Sequence, residues 1–195
     1  MSELNNQAKL SALKSYFTRE ALLASKMNFV HIGNLVEKLE VTRARGGRVF
    51  IAGNGGSAAT AEHFAVDLGV GAHIRAKNRY IDAIALVSNT AILTAIGNDV
   101  DFEFVYSKQL EVNKPSKNDF VICISASGNS PNIIRLLETA KKLGVTSCAI
   151  TGFDGGIAKS LSDISVHIET EVGEYGIVED LHLSICHAIT EVLRK

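Results

Sequence analysis

The chain has 195 residues, 46% of them apolar, enough to bury one sizeable core and too few to demand a second domain. Its 20 Lys and Arg stand against 21 Asp and Glu, a formal net charge of −1. That balance removes the basic field a nucleic-acid backbone or an anionic membrane would need, so an anionic ligand has to be small and locally held.

The first residues are polar (Ser2, Glu3, Asn5, Asn6, Gln7) with no apolar signal core, and no apolar run approaches the ~20 residues of a membrane span. A cytoplasmic protein is expected. From about Leu4 to Arg45 apolar residues recur at helical spacing (Leu10, Leu13, Phe17, Ala21, then Leu35, Val36, Leu39) and spread over more than one face. One or two helices with surface to spare for another subunit follow. After Gly46 and Gly47 the period changes. Val49–Ala52, Ile84–Val87, Phe120–Ile124, Ser147–Thr151 and Ile164–Ile168 are short β-rich runs separated by helical stretches. Strands apolar on both faces and alternating with helices predict an α/β fold, a single domain with five parallel strands covered on both sides. Residues 1–46 form its helical preface and residues 47–195 its α/β core. Cys123, Cys148 and Cys186, an odd count without C-x-x-C spacing, read as buried thiols in a reducing compartment.

Two loops carry the chemistry of anion binding. The first strand runs into Gly53-Asn54-Gly55-Gly56-Ser57 and then an Ala-rich helical run from Ala58 to Leu68. Glycines allow a tight turn and close ligand approach, and Ser57 is placed to cap the helix. Alone, this fits an ordinary strand-to-helix turn equally well. The third strand ends in Ser125-Ala126-Ser127-Gly128-Asn129-Ser130-Pro131, with Pro131 at a first-turn position. One serine suffices as a cap, and the surplus hydroxyls at a positive helix end suit a phosphate monoester. Neither loop contains Lys, which argues against a nucleoside triphosphatase.

His63 and Asp67 stand four apart on one helix face, a ligand-pair spacing that a packing His and a surface Asp would also produce. A second group, Glu179, Asp180, His182 and His187, gathers in an amphipathic C-terminal run and exceeds what a solvated face requires. Glu179 and His187 lie about 12 Å apart along a continuous helix, so both reach one metal only with an irregular helix or with ligands from two chains. Glu179 with His182, three apart, is the tighter local alternative.

Together, Gly53-Asn54-Gly55-Gly56-Ser57-Ala58-Ala59, Ala61-Glu62-His63-Phe64-Ala65, Thr94-Ala95-Ile96-Gly97-Asn98-Asp99, the serine loop and Thr151-Gly152-Phe153-Asp154-Gly155-Gly156 resemble the sugar isomerase (SIS) domain family. Within it the chain is similar to the phosphoheptose isomerases, which interconvert sedoheptulose 7-phosphate and glycero-manno-heptose 7-phosphate. The resemblance implies sugar-phosphate contacts from Asn54, Gly55, Gly56, Ser57, Asn98, Asp99, Ser125, Ala126, Ser127, Asn129, Ser130 and Glu179. It also implies a Zn²⁺ held by His63, Asp67, Glu179 and His187, an enolising base that is either Asp67 or Glu179 with His187 as its acid–base partner, and a homotetramer with sites between subunits. The chain departs from the family pattern at three places. Asp67 stands where Glu is usual, Glu179 where Gln is usual, and Gly69-Val70-Gly71 offers no match for an arginine, leaving Arg75 as a candidate substitute. Two alternative functions stay open: a non-catalytic phosphosugar- or protein-binding SIS regulator, and an isomerase of another sugar phosphate.

Overall fold

Five β-rich runs become one parallel sheet in the computed structural model, which describes residues 2–76 and 79–195. The strands are β1 (Arg48–Gly53), β2 (Asp82–Ala85), β3 (Phe120–Ser125), β4 (Thr146–Thr151) and β5 (Ile164–His167), in the order β2-β1-β3-β4-β5. Side chains alternate across the sheet as the pleat requires. Val49 and Ile51 enter a core with Leu35, Leu39, Phe64, Leu181 and Ile185, while Phe50 and Ala52 enter a second with Leu110, Ile133, Leu136 and Leu137.

The helices are α1 (Ser2–Ser25), α2 (Phe29–Ala44), α3 (Gly56–Val66), α4 (Ala72–Ala76), α5 (Thr90–Asp99), α6 (Ser107–Val112), α7 (Pro131–Lys142), α8 (Gly156–Leu161) and α9 (Tyr175–Leu193). Among the described residues no helix is long and apolar enough to cross a membrane. Helix α1 meets α9 through a Tyr16–Asp180 hydrogen bond and a forked Arg19–Glu174 pair at 3.0 and 3.1 Å. It leaves Leu10, Leu13 and Phe17 more than half exposed. The three cysteines are free and buried, and burial pushes their thiols upward in pKa.

Two expectations shift. The second strand begins at Asp82 rather than Ile84 and ends before Leu86, its limits set by the ladder with β1, Arg48 to Asp82 through Ile51 to Ala85. The helix expected to stop at Leu68 continues through a π turn at Asp67–Gly71 into α4. A π turn inside a helix is uncommon and recurs at functional sites.

His182 is fully buried on α9, and among the described residues neither ring nitrogen makes a hydrogen bond of good geometry. Burial pushes its pKa down to about 4, against a smaller opposing pull from the Thr151 backbone. The unfolded chain, with an ordinary His pKa of about 6.5, therefore binds more protons between the two values. Stability should fall by roughly 3 kcal/mol as pH drops from about 6.5 to about 4. Urea midpoints across that range will show the slope, and His182→Leu should flatten most of it; an unchanged slope would assign the acid sensitivity to other groups.

Candidate active site

The strand order reverses between β1 and β3, and in an open parallel sheet the crevice beyond the strand ends at such a point is where ligands bind. Both candidate loops leave the sheet there. Tyr106 fastens the first of them, its hydroxyl donating to the Gly53 carbonyl and lying 3.0 Å from Asn54 Oδ1. Asn54 and the buried Asn132 exchange amide hydrogen bonds, 2.9 Å in each direction. The Asn54 side chain is thus a tie between loops, a role that its place in a glycine-rich turn does not disclose.

Between the loops lies a cavity of about 140 Å³ lined by Asn54, Ser57, Ser125, Ala126, Ser127, Ser130, Tyr175 and Glu179. That is ample room for a phosphoryl group. Ser130 holds the N-cap position of α7 without a side-chain cap bond, and Pro131 follows in the first turn. Ser125 and Ser127 accept from the Gly128 and Asn129 amides at 3.1 and 3.2 Å, which leaves each hydroxyl proton to donate. Such hydroxyls at the positive end of α7 suit a phosphoryl oxygen. Ser57 is not the cap of α3. Gly55 takes that position, and Ser57 sits buried one residue inside the helix, beside the cavity.

Helices α3 and α9 lie alongside one another and touch at two levels. At the first, the Glu179 carboxylate lies against Gly56, so close that a methyl group there would overlap it. At the second, His187 Nε2 is 3.0 Å from His63 Nε2, and His63 Nε2 is 3.5 Å from Asp67 Oδ2. The three donor atoms lie within 4.8 Å of one another. Ligand atoms around a tetrahedral ion with metal–nitrogen bonds of about 2.0–2.1 Å sit roughly 3.3 Å apart, so two imidazoles and a carboxylate here fit a divalent metal. Asp67 Oδ1 points the other way, to Arg194 at 3.1 Å.

Within one protomer Glu179 is not part of this three-donor centre. Seven residues of α3 separate Gly56 from His63, about 10 Å along the axis. The other neighbours on α9 diverge as well: Asp180 meets Tyr16, and His182 is buried in the core, so the Glu179–His182 pairing does not form. Asn98 and Asp99 are exposed at the end of α5, bonded to each other at 2.8 Å, and do not line the cavity. Asn129 accepts from the Ile157 amide at 3.0 Å, fixing the start of α8. Arg75 is exposed on α4. Tyr106, Asn132, Tyr175 and Arg194 escape a reading by motif; only Tyr175, four residues before Glu179, has a positional signal.

A family model for the SIS domain matches residues 17–152, more than half of the chain, and the chain belongs to that family. Curated relatives include the phosphoheptose isomerase of Trichlorobacter lovleyi, 38% identical over 164 residues, covering 84% of this chain and 81% of that one. The probable phosphoheptose isomerase of Thermoplasma volcanium is 35% identical over 186 residues, covering 95% and 92%. Among solved structures, the phosphoheptose isomerase of Neisseria gonorrhoeae superposes with a TM-score of 0.85 at 28% identity, covering 96% of this chain and 97% of that one.

Proposed function

We propose that the protein is a sugar-phosphate aldose–ketose isomerase that converts sedoheptulose 7-phosphate to glycero-manno-heptose 7-phosphate. The observation that carries this reading is the placement of a serine-lined cavity and a His–Asp–His centre at two levels of one helix seam. With the phosphoryl group in the cavity, the rest of a bound sugar extends along the seam toward the three-donor centre, and a spacing of about 10 Å suits a long open chain. The names of the relatives support the same substrate.

In such a reaction a base removes a proton from the carbon next to the carbonyl, an acid serves the carbonyl oxygen, and a cis-enediol results. In this reading the base is Asp67, through Oδ2, the oxygen left free by Arg194, or Glu179, and His187 is the partner that handles the oxygen's proton. Oδ2 and the His187 Nε2 perform these duties only while not bound to a metal. Glu179 belongs to the phosphate end. Its added carboxylate faces whatever anion enters the cavity and sets the charge that the serine hydroxyls have to offset. His63, Asp67 and His187 would hold a Zn²⁺, which when bound supplies a Lewis acid for the carbonyl. The exposed apolar residues of α1 support a homotetramer, with sites formed between subunits of a cytoplasmic enzyme.

The test is to supply sedoheptulose 7-phosphate with zinc and follow aldose formation, beside a panel of five- to seven-carbon sugar phosphates. The seven-carbon ketose should turn over fastest, and His187→Ala should abolish most of the rate. Equal rates for wild type and variant would sink the assignment of His187, and faster turnover of a shorter sugar would replace the substrate.

A further inference from the structure

Arg194 lies at the C-terminal end of α9, far from both phosphate loops in sequence, yet its guanidinium reaches the three-donor centre from behind. Its side chain is 11% exposed and bonds Asp67 Oδ1 at 3.1 Å and Glu191 at 2.7 Å, while its Nε is buried without a partner. A guanidinium so enclosed, and only partly satisfied, is stable chiefly because a carboxylate of opposite charge faces it. Glu191 is a weak claimant for that role, since its side chain is 68% exposed and Asp67 only 14%.

The backbone makes room for the pair. Asp67 opens the π turn and Gly71 closes it. A Cβ on Gly71 would stand 3.1 Å from the Val66 carbonyl, 3.3 Å from Asp67 Oδ1 and 3.5 Å from the guanidinium. A larger residue would crowd the space in which carboxylate and guanidinium meet. The outcome is a divided carboxylate: Oδ1 is held by Arg194, and Oδ2 is turned toward His63.

We infer that Arg194 is the positioning residue of the His63–Asp67–His187 centre, holding Oδ1 so that Asp67 presents Oδ2 alone to a bound divalent cation. This rests on the metal-binding reading of that centre. An acidic ligand fixed from behind loses less rotational freedom on binding, and partners of this kind typically contribute 10–100-fold to metal affinity.

The experiment uses the full-length protein, stripped of metal and titrated with Zn²⁺ against a chromophoric chelator, with Co²⁺ as a spectroscopic probe. Arg194→Met should weaken Zn²⁺ binding by roughly 10–100-fold and alter the Co²⁺ absorption bands. Arg194→Lys, which keeps the charge on a single nitrogen and loses the planar fork, should fall between, and decides the matter if the methionine variant does not fold. Glu191→Gln should match the wild type. Equal affinities and spectra across wild type and both Arg194 variants, even with a lowered Tm, would show that the arginine only fastens the end of α9. A wild type that takes up neither Zn²⁺ nor Co²⁺ would instead overturn the metal reading itself, and the positioning role with it.

Discussion

Asp67→Asn is expected to lower kcat for ketose-to-aldose conversion by roughly 10²–10⁴-fold, the usual contribution of a positioned acid or base. The amide keeps the size of the side chain but cannot take a proton at the oxygen facing the substrate. KM should stay within a few-fold, because the serine cavity that would grip the phosphate lies at the other level of the α3–α9 seam. Measuring the zinc content of the variant separates the two duties open to this carboxylate. A slow enzyme that still carries zinc marks Asp67 as the base, whereas a slow, zinc-free enzyme marks it as a ligand. A kcat near that of the wild type would remove Asp67 from the mechanism.

Stripping the protein with a chelator should lower kcat/KM on the order of 10³-fold, with recovery on adding Zn²⁺. A Lewis acid at a developing oxyanion is worth several kcal/mol, and each 1.36 kcal/mol is tenfold in rate. The same ion should stabilise the fold by linkage, about 2.7 kcal/mol at a hundredfold excess over Kd, or roughly 5–10 °C in Tm for a domain of this size. Full activity after exhaustive chelation, with no Tm response to zinc, would count against a metal at the His63–Asp67–His187 centre.

The sheet was readable in the sequence because its three inner strands are buried on both faces and the runs stand out as short apolar stretches: four of the five match their strands to within one residue at each end. The exception, β2, begins at the polar Asp82 and ends before the apolar Leu86, its limits set by the ladder with β1 and not by apolar content. The serine loop and the His63–Asp67 pair were legible for a different reason, since each is local in sequence and its geometry follows from one turn or one helix face. Grouping by proximity along α9 did not carry over, because side chains on one helix are separated both by rotation and by rise along the axis. At 3.6 residues per turn His182 is rotated onto the buried side, while Asp180 faces nearly the same way as His187 but lies seven residues, about 10 Å, before it and meets Tyr16, so only His187 joins His63 and Asp67. Arg194, Asn132 and Tyr106 were illegible because their partners are contributed by distant segments, and no spacing rule announces a contact across 127 residues such as that of Arg194 with Asp67.

The paired amides of Asn54 and Asn132, with the Tyr106 hydroxyl beside them, bear on the kinetics of capture. They splice the end of β1 to the start of α7, so the two walls of the cavity are locked to each other before any ligand arrives. The entropy of ordering them is lost when the chain folds and not when the sugar phosphate lands. Encounter at the phosphate end is then a matter of diffusion and dehydration, and any slow closing step has to arise elsewhere in the molecule.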